Sequence, residues 1–403
     1  MRWLLFACRN VLRNRRRSLM ALAITAVGTA AVLIGGGFAL FTYDSLREVS
    51  ARDTGHVVLG ARDFFDGDED LPMQHGLAGA AALEEKLRAL PGVRAALPRI
   101  QFSGLISNGD KSAIFIGSGV VPELDFRVRG PQMRFIEGEP FGPGSAVPEI
   151  AIGKDLAKLM KAKVGSGLTL LATTTEGNLN AVDVIVRGVI SVGVPDIDKR
   201  LVLTDVAAVQ KLLLTDKVST LSLYLKDTEG TGAVASRVQA EQPQLAVRTW
   251  LDLAVFYQAV RELYNRIFGM LGAIMLVIVL FAMSNTMSMA VAERTREIGT
   301  LRAIGTHPGE IVRNFLFEGI AIGVAGALAG MLIAAATTLA LTFAGIQMPP
   351  PPGRSGGYPL LVNFSATLYA ATAAAVIAIS ALAAYFASAK AARKPITEAL
   401  AHV

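Results

Sequence analysis

The chain has little of what most enzymes are built from. Its 403 residues include one cysteine, Cys8, and four histidines. A lone thiol closes no internal disulfide, so cysteine pairing gives no reading of redox compartment. Leu5-Phe6-Ala7-Cys8 has the outline of a lipobox, but no apolar segment precedes it, and a plain buried thiol on a helix is expected. His56, His75, His307 and His402 are scattered without metal-ligand spacing. No Gly-x-Ser-x-Gly elbow is present. Gly153-Lys154 precedes Asp155 and lacks the upstream glycine of a phosphate loop, so no ATP site is expected there. Asp66, Asp68, Glu69 and Asp70 lack the glycine and terminal glutamate of an EF-hand loop, and read as a solvated loop rather than a Ca²⁺ site. No catalytic, cofactor-binding or metal-binding residue is assigned.

Charge is also scarce, at 18% of residues, with a mean hydropathy of +0.46. The scarcity is uneven, as in membrane proteins. No charged residue occurs from Ser18 to Tyr43, Ile267 to Ala292, Gly319 to Gly353, or Ser355 to Ala389. A bilayer core takes about 20 apolar residues at about 1.5 Å each, which every window supplies. Helices are expected over 19–43, 267–292, 319–346 and 364–389, with Pro349-Pro350-Pro351-Pro352 and Gly356-Gly357 turning the chain between the last two. The formal charge of +6 does not point to nucleic acid, because the basic residues crowd beside the apolar windows and form no aromatic-interleaved face.

Those basic residues orient the spans. Arg2, Arg9, Arg13, Arg15, Arg16 and Arg17 precede the first window, and Arg294, Arg296, Arg302 and Arg313 lie between the second and third. Lys390, Arg393 and Lys394 follow the fourth, whereas the third–fourth connection carries only Arg354. The positive-inside rule puts both termini (1–18 and 390–403) and segment 293–318 in the cytoplasm, and 44–266 and 347–363 outside. The first apolar run exceeds the usual signal-peptide core, and no small-x-small site follows it, which disfavours a cleaved signal. Arg16-Arg17-Ser18-Leu19-Met20 only loosely resembles a twin-arginine signal. Residues 1–18 alternate apolar and basic side chains at helical spacing, as an interfacial amphipathic helix does.

The outer segment 44–266 reads as α/β. Ala80–Leu90 has a helical pattern, and Ser112–Ile116, Leu168–Ala172 and Val182–Val186 are strand-like. Ile150–Lys163 reads as a strand, then Gly153, then a helix. Leu253–Arg266 continues a helical pattern into the second span, and Tyr43–Val49 does the same after the first, which suggests a helical stalk. The spans hold no Asp, Glu, Lys, Arg or His. Ion-coupled carriers usually need such groups near the midplane, so energy is expected from elsewhere.

Residues 285–330 are the most informative stretch. A helix leaving the membrane near Ala290 carries Glu293, Arg294, Arg296 and Glu297 onward, and Ile298, Leu301 and Ile304 then fall on one side. Gly305 ends that helix, Thr306-His307-Pro308 starts the next, and Glu318 stands at the membrane edge. Gly319, Gly323, Gly326 and Gly330 have the spacing of close helix contacts. Taken by itself, this segment also fits a solvated positive-inside loop.

The run Glu293-Arg294-x-x-Glu297-Ile298-Gly299-x-x-Arg302-Ala303-Ile304-Gly305, with Phe315-x-x-Glu318, resembles the hallmark of FtsX-like ABC permeases, which include macrolide-exporter and lipoprotein-releasing permeases. Ala391-Ala392-Arg393-Lys394-Pro395-Ile396-x-x-Ala399-Leu400 is similar to the family's closing segment. Ile152-Gly153-Lys154-x-Leu156-Ala157 and Val184–Gly193 with Asp196 resemble the lipoprotein-releasing branch. The resemblance covers essentially the whole chain. It implies an α-helical membrane protein with four transmembrane helices plus a large α/β extracytoplasmic domain inserted between helices 1 and 2.

It further implies a permease subunit in the bacterial inner membrane that is not itself an enzyme. Two such chains, identical or related, would pair over a separate cytoplasmic ATPase dimer. No cofactor would be bound by this chain, ATP acting through the partner. Glu293, Arg294, Glu297, Gly299, Arg302, Gly305 and Glu318 would form the ATPase coupling site, with Pro395 and Leu400 terminating the fourth helix near it. The outer domain would act on a lipid-linked or hydrophobic substrate, with membrane lipids and a periplasmic lipoprotein acceptor as further partners. Macrolide exporters carry a fused ATPase, which this chain lacks, and cell-division members have a smaller outer domain; both departures favour the lipoprotein-releasing type. Export of a small hydrophobic molecule or peptide, and a non-transporting relay to a cell-envelope partner, are the alternatives.

Overall fold

The computed structural model describes residues 15–65, 71–129, 133–348, 357–393 and 395, with side chains from Ser18 onward. Residues 1–14, the acidic cluster at 66–70, the prolines at 349–352 and Leu400 lie outside the described residues. Two compact units divide the chain: 1–44, 260–347 and 359–403 form the first, and 45–259 with 348–358 the second.

The first unit is built on four helices long and apolar enough to cross a membrane. They are α1 (Arg15–Thr54), α9 (Val255–Glu293), α11 (Pro308–Ala344) and α12 (Ala366–Ala392), numbered with the helices named below. α11 packs on α12 and on α1 through small residues. A Cβ on Gly319 would meet that of Ala384 at 2.5 Å, and one on Gly330 would lie 2.5 Å from Thr29 Cβ and 2.6 Å from the Ala26 carbonyl. Such contact leaves no room for a side chain. The buried hydroxyls along this seam bond back to their own helix, Thr25 to the Ala21 carbonyl and Thr29 to that of Thr25, both at 2.8 Å. Both hydroxyls are thereby satisfied inside their own helix, as a hydrocarbon surround favours, whereas Ser380 Oγ of α12, packed against Gly323, is buried without a partner among the described residues. α9 turns Met270, Val277 and Phe281 outward. α11 ends at Ala344, where Gly345 takes a left-handed conformation, so the helix stops before the proline run begins.

The second unit is an α/β domain around a ten-stranded sheet. In chain order its elements are β1 (Val57–Ala61), α2 (Ala80–Arg88), β2 (Val93–Ser107), β3 (Ser112–Val120), α3 (Pro122–Arg129), β4 (Arg134–Gly138), β5 (Glu149–Gly153) and α4 (Lys154–Met160). β6 (Gly167–Thr173), β7 (Leu179–Ser191), α5 (Pro195–Asp198), β8 (Leu201–Asp205), α6 (Val206–Leu213) and β9 (Thr220–Leu225) follow. α7 (Thr231–Glu241), β10 (Leu245–Thr249) and α8 (Trp250–Leu253) complete it. The strand order is β10-β1-β9-β2-β3-β8-β5-β7-β4, with β6 bridging β2 and β7. Long β2 joins the halves: Val93–Arg99 pairs with β9 and Ile100–Ser107 with β3. The β-branched runs read as strands all lie in this sheet. Leu59, Ile100, Phe115, Ile150, Ile152, Val202 and Leu223 share one core and are fully buried. Each such large apolar side chain contributes about 1.5–3 kcal/mol.

α1 continues ten residues or more past the charge-free window, to Thr54. The helical pattern expected from Leu253 is interrupted: a capping box between Thr249 and Asp252 starts the short α8, Ala254 breaks it, and α9 begins at Val255. α1 and α9 run antiparallel. Tyr43 donates to Asn265 at 2.7 Å within the first unit, and Ala51 packs with Trp250, Ala254 and Tyr257 within the second.

Candidate coupling site

The sequence signature folds into an elbow between α9 and α11. α9 ends at Glu293, and Arg294 leaves helical geometry (φ −103°, ψ 14°) to cap α10 (Thr295–Ala303). Thr295 bonds back to the Ala292 carbonyl at 2.8 Å, which tightens the bend. Gly305, with φ +99°, closes α10 in a conformation that strains any residue with a Cβ. The Gly305 and Thr306 amides donate to the carbonyls of Arg302 and Leu301. His307 then caps α11, its Nδ1 accepting from the Gly309 amide at 3.2 Å, with Pro308 in the first turn.

Two devices hold the elbow. Ile298 is buried with Val291, Ile311, Phe315 and Ala392. Arg294 Nη1 donates to Glu318 Oε2 at 3.3 Å, both residues being under a tenth exposed, and the guanidinium carbon lies 5.9 Å from the Phe315 ring centre. Among the described residues, Arg294 Nη2 is buried without a hydrogen-bond acceptor. Desolvation offsets most of what such a pair gains, but removing one partner strands a charge, at a cost of about 3–5 kcal/mol. The pair therefore fixes geometry more than it adds net stability.

The structure brings Arg294, Glu318 and buried Gly299 together inside the elbow. Glu293 and Glu297 are exposed on it and Arg302 half-buried, each already engaged with neighbours. Pro395 is exposed beyond the end of α12. Ile298, Leu301 and Ile304, which spacing groups on one side of the helix, differ in burial: Ile298 turns inward, whereas Leu301 is 42% exposed and Ile304 75%. Three and six residues along a helix from Ile298 correspond to rotations of about 300° and 600°, and the helix also ends at Ala303, so Ile304 points away.

In the second unit the end of α1 is clamped. Buried Asp125 on α3 holds Arg99 of β2 at 2.9 Å and Arg129 at 3.1 Å. Arg99 also donates to the Asp53 carbonyl of α1 and to the Tyr224 hydroxyl of β9. Burial works against the Arg99 charge, yet Tyr224, Asp125 and Asp53 outweigh it and hold its pKa above the ordinary value. The Asp125/Arg129 spacing of four is a readable helix pair; its coupling to Arg99 and α1 is not readable. Asp198 was missed outright. It is fully buried, accepts from Ser191 Oγ at 2.6 Å and the Val192 amide at 2.9 Å, and faces Lys154 Nζ at 3.6 Å. The backbone at Gly153 passes so close to the Asp198 carbonyl that a Cβ would sit 2.1 Å from it. Gly153-Lys154 thus closes a strand-to-helix corner, and Asp196 lies outside on the surface.

Four membrane-length helices, an α/β domain and a braced helical elbow define a membrane protein built around coupled helices. The MacB-like periplasmic core domain matches residues 18–241, and the FtsX-like permease C-terminal domain matches residues 269–396. The chain belongs to the family of FtsX-like permeases carrying a MacB-like periplasmic core domain. It is 27% identical over 60% of its length to the lipoprotein-releasing system transmembrane protein LolC of Neisseria meningitidis, spanning 60% of that protein. To LolC of Xylella fastidiosa it is 25% identical over 78% of its length and 73% of that protein. The periplasmic region of MacB from Actinobacillus actinomycetemcomitans is similar at 12% identity over 50% of this chain and 93% of that one, with a TM-score of 0.35, too low to bear on the site.

Proposed function

We propose that this chain is the permease subunit of an ABC-type transporter in the bacterial inner membrane, driven by a separate cytoplasmic ATPase dimer and working on lipoproteins or lipids at the far membrane face. One observation carries this reading: α10 is locked by Arg294–Glu318 while Leu301 and Ile304 stand exposed at its end. A short, braced helix with an apolar tip suits a partner groove, where it transmits displacement without bending. The basic flanks put that helix and both termini in the cytoplasm and 44–266 outside. Glu293, Arg294, Glu297, Gly299, Arg302, Gly305 and Glu318 then shape the ATPase contact, and the chain holds no cofactor itself. A second permease copy, identical or related, completes the pair. The likeness to lipoprotein-releasing LolC proteins supports lipoprotein release over export of a small hydrophobic molecule.

Reconstitution with the cognate ATPase, a lipoprotein and a soluble acceptor tests this. Glu297→Ala and Arg302→Ala should leave ATP hydrolysis running while transfer to the acceptor falls about tenfold, the loss expected from about 1.4 kcal/mol of interface energy. Wild-type coupling in both variants would refute the role of α10. Wild-type complex that hydrolyses ATP without moving lipoprotein would favour the relay alternative.

A further inference from the structure

At the outer end of α1 the second unit has a cavity of about 300 Å³ with an excess of positive charge. Arg47 and Arg52 of α1, Arg94 of β2, Arg127 of α3 and Lys226 after β9 line it. Among the described residues two carboxylates share the lining, against five cationic side chains. Glu48 pairs with Arg52 at 2.7 Å, and Asp227 caps the turn after β9 by accepting from the Glu229 amide at 3.1 Å. His56, at the cavity wall, accepts from the Leu225 amide through Nδ1 and faces Thr228 Oγ1 through Nε2. Among the described residues, Arg47, Arg94, Arg127 and Lys226 have no ion-pair partner. The Nε of Arg47 is moreover buried without any hydrogen-bond acceptor. A buried guanidinium N–H left open is rare, because its desolvation is uncompensated. Even with the Asp227 carboxylate counted, the cavity keeps an excess of positive charge that an entering anion would offset.

We infer that this cavity binds a phosphoryl group. Three arginines offer planar forks matched to phosphate oxygens, and a lysine adds a point charge. The volume suits a headgroup-sized ligand. Arg47 stands four residues past Tyr43, the last residue of the charge-free window. On a helix that is roughly 6 Å, within the polar layer of about 5–8 Å that borders each side of a bilayer core. The phosphate therefore comes either from a phospholipid headgroup or from a soluble phosphate ester. This goes beyond the transport reading and does not depend on it.

The test uses the full chain in detergent. Native mass spectrometry after incubation with phosphatidylglycerol or with diacylglycerol reads lipid capture, and calorimetry with glycerol 3-phosphate reads soluble phosphate. The comparison is wild type against Arg94→Gln/Arg127→Gln, two exposed positions whose replacement should leave the melting profile intact. Retention of phosphatidylglycerol but not diacylglycerol, reduced about tenfold in the double variant and strengthened in Glu48→Gln, assigns the lipid source. Saturable glycerol 3-phosphate binding that is lost in the double variant, without lipid retention, assigns the soluble source. Equal retention of both lipids, or equal retention by wild type and double variant, with no saturable glycerol 3-phosphate binding, overturns the site.

Discussion

Replacing Glu318 with alanine removes the acceptor that faces Arg294 Nη1 at 3.3 Å and leaves a charged side chain that is only 11% exposed. Its Nη2 already lacks an acceptor among the described residues. With both side chains this deeply enclosed, solvent screening offsets little, and the expected cost is about 3–5 kcal/mol. At about 1.4 kcal/mol per factor of ten, opening of the elbow should become some hundred- to several thousand-fold more frequent. Amide hydrogen exchange in nanodiscs reads this directly: residues 295–303 should lose protection while α12 keeps its own. The chain as a whole should stay inserted, because the spans owe their place to hydrocarbon rather than to this pair. A companion Arg294→Met/Glu318→Leu variant removes both charges and should recover most of the protection, since an apolar pair of similar bulk needs no acceptor. Protection in Glu318→Ala within threefold of wild type would refute the bracing role of the pair. A double variant as open as the single would refute the charge-stranding explanation.

Three further outcomes are expected. Gly330→Val should cost about 1–3 kcal/mol by overpacking, because its Cβ would lie 2.5 Å from that of Thr29; thermal melting in detergent checks this, and an unchanged midpoint counts against the seam. Asp125→Asn should release the end of α1, raising exchange over residues 47–54 by the loss of pairing to two buried arginines, about 3–5 kcal/mol at most; Asp53→Asn should do far less, because that side chain is 65% exposed. Burial, partly opposed by Glu48, lowers the His56 pKa below 6.5. The folded state then takes up its proton later than the unfolded state. Stability from this group is complete above pH 6.5 and falls as pH drops through the lowered value; His56→Asn should flatten that slope in melting curves taken between pH 7.5 and 5.

Much of the architecture was legible in the sequence because it rests on local properties. Twenty charge-free residues define a span wherever they occur, and Gly305 followed by His307-Pro308 breaks a helix by its own φ preferences and missing amide. The strands at 112–120, 167–173 and 179–191 follow from β-branched runs. The family hallmark at 293–305 was readable as a motif, yet its mechanics were not. Periodicity grouped Leu301 and Ile304 with Ile298, whereas packing against Ile311 and Phe315 admits only Ile298.

What the tertiary structure alone decided are the meetings of distant residues. Arg294 finds Glu318 across a helix turn-back, Lys154 finds Asp198 across a corner of the sheet, and Asp125 ties β2 to α3 beneath α1. The cationic cavity gathers side chains from Arg47 to Lys226, each an unremarked surface charge in its own segment. Hydropathy and backbone preference act over a few neighbouring residues, so a chain announces its helices, strands and spans by itself. Ion pairing and cavity formation act through space, and only the folded path says which charges share it.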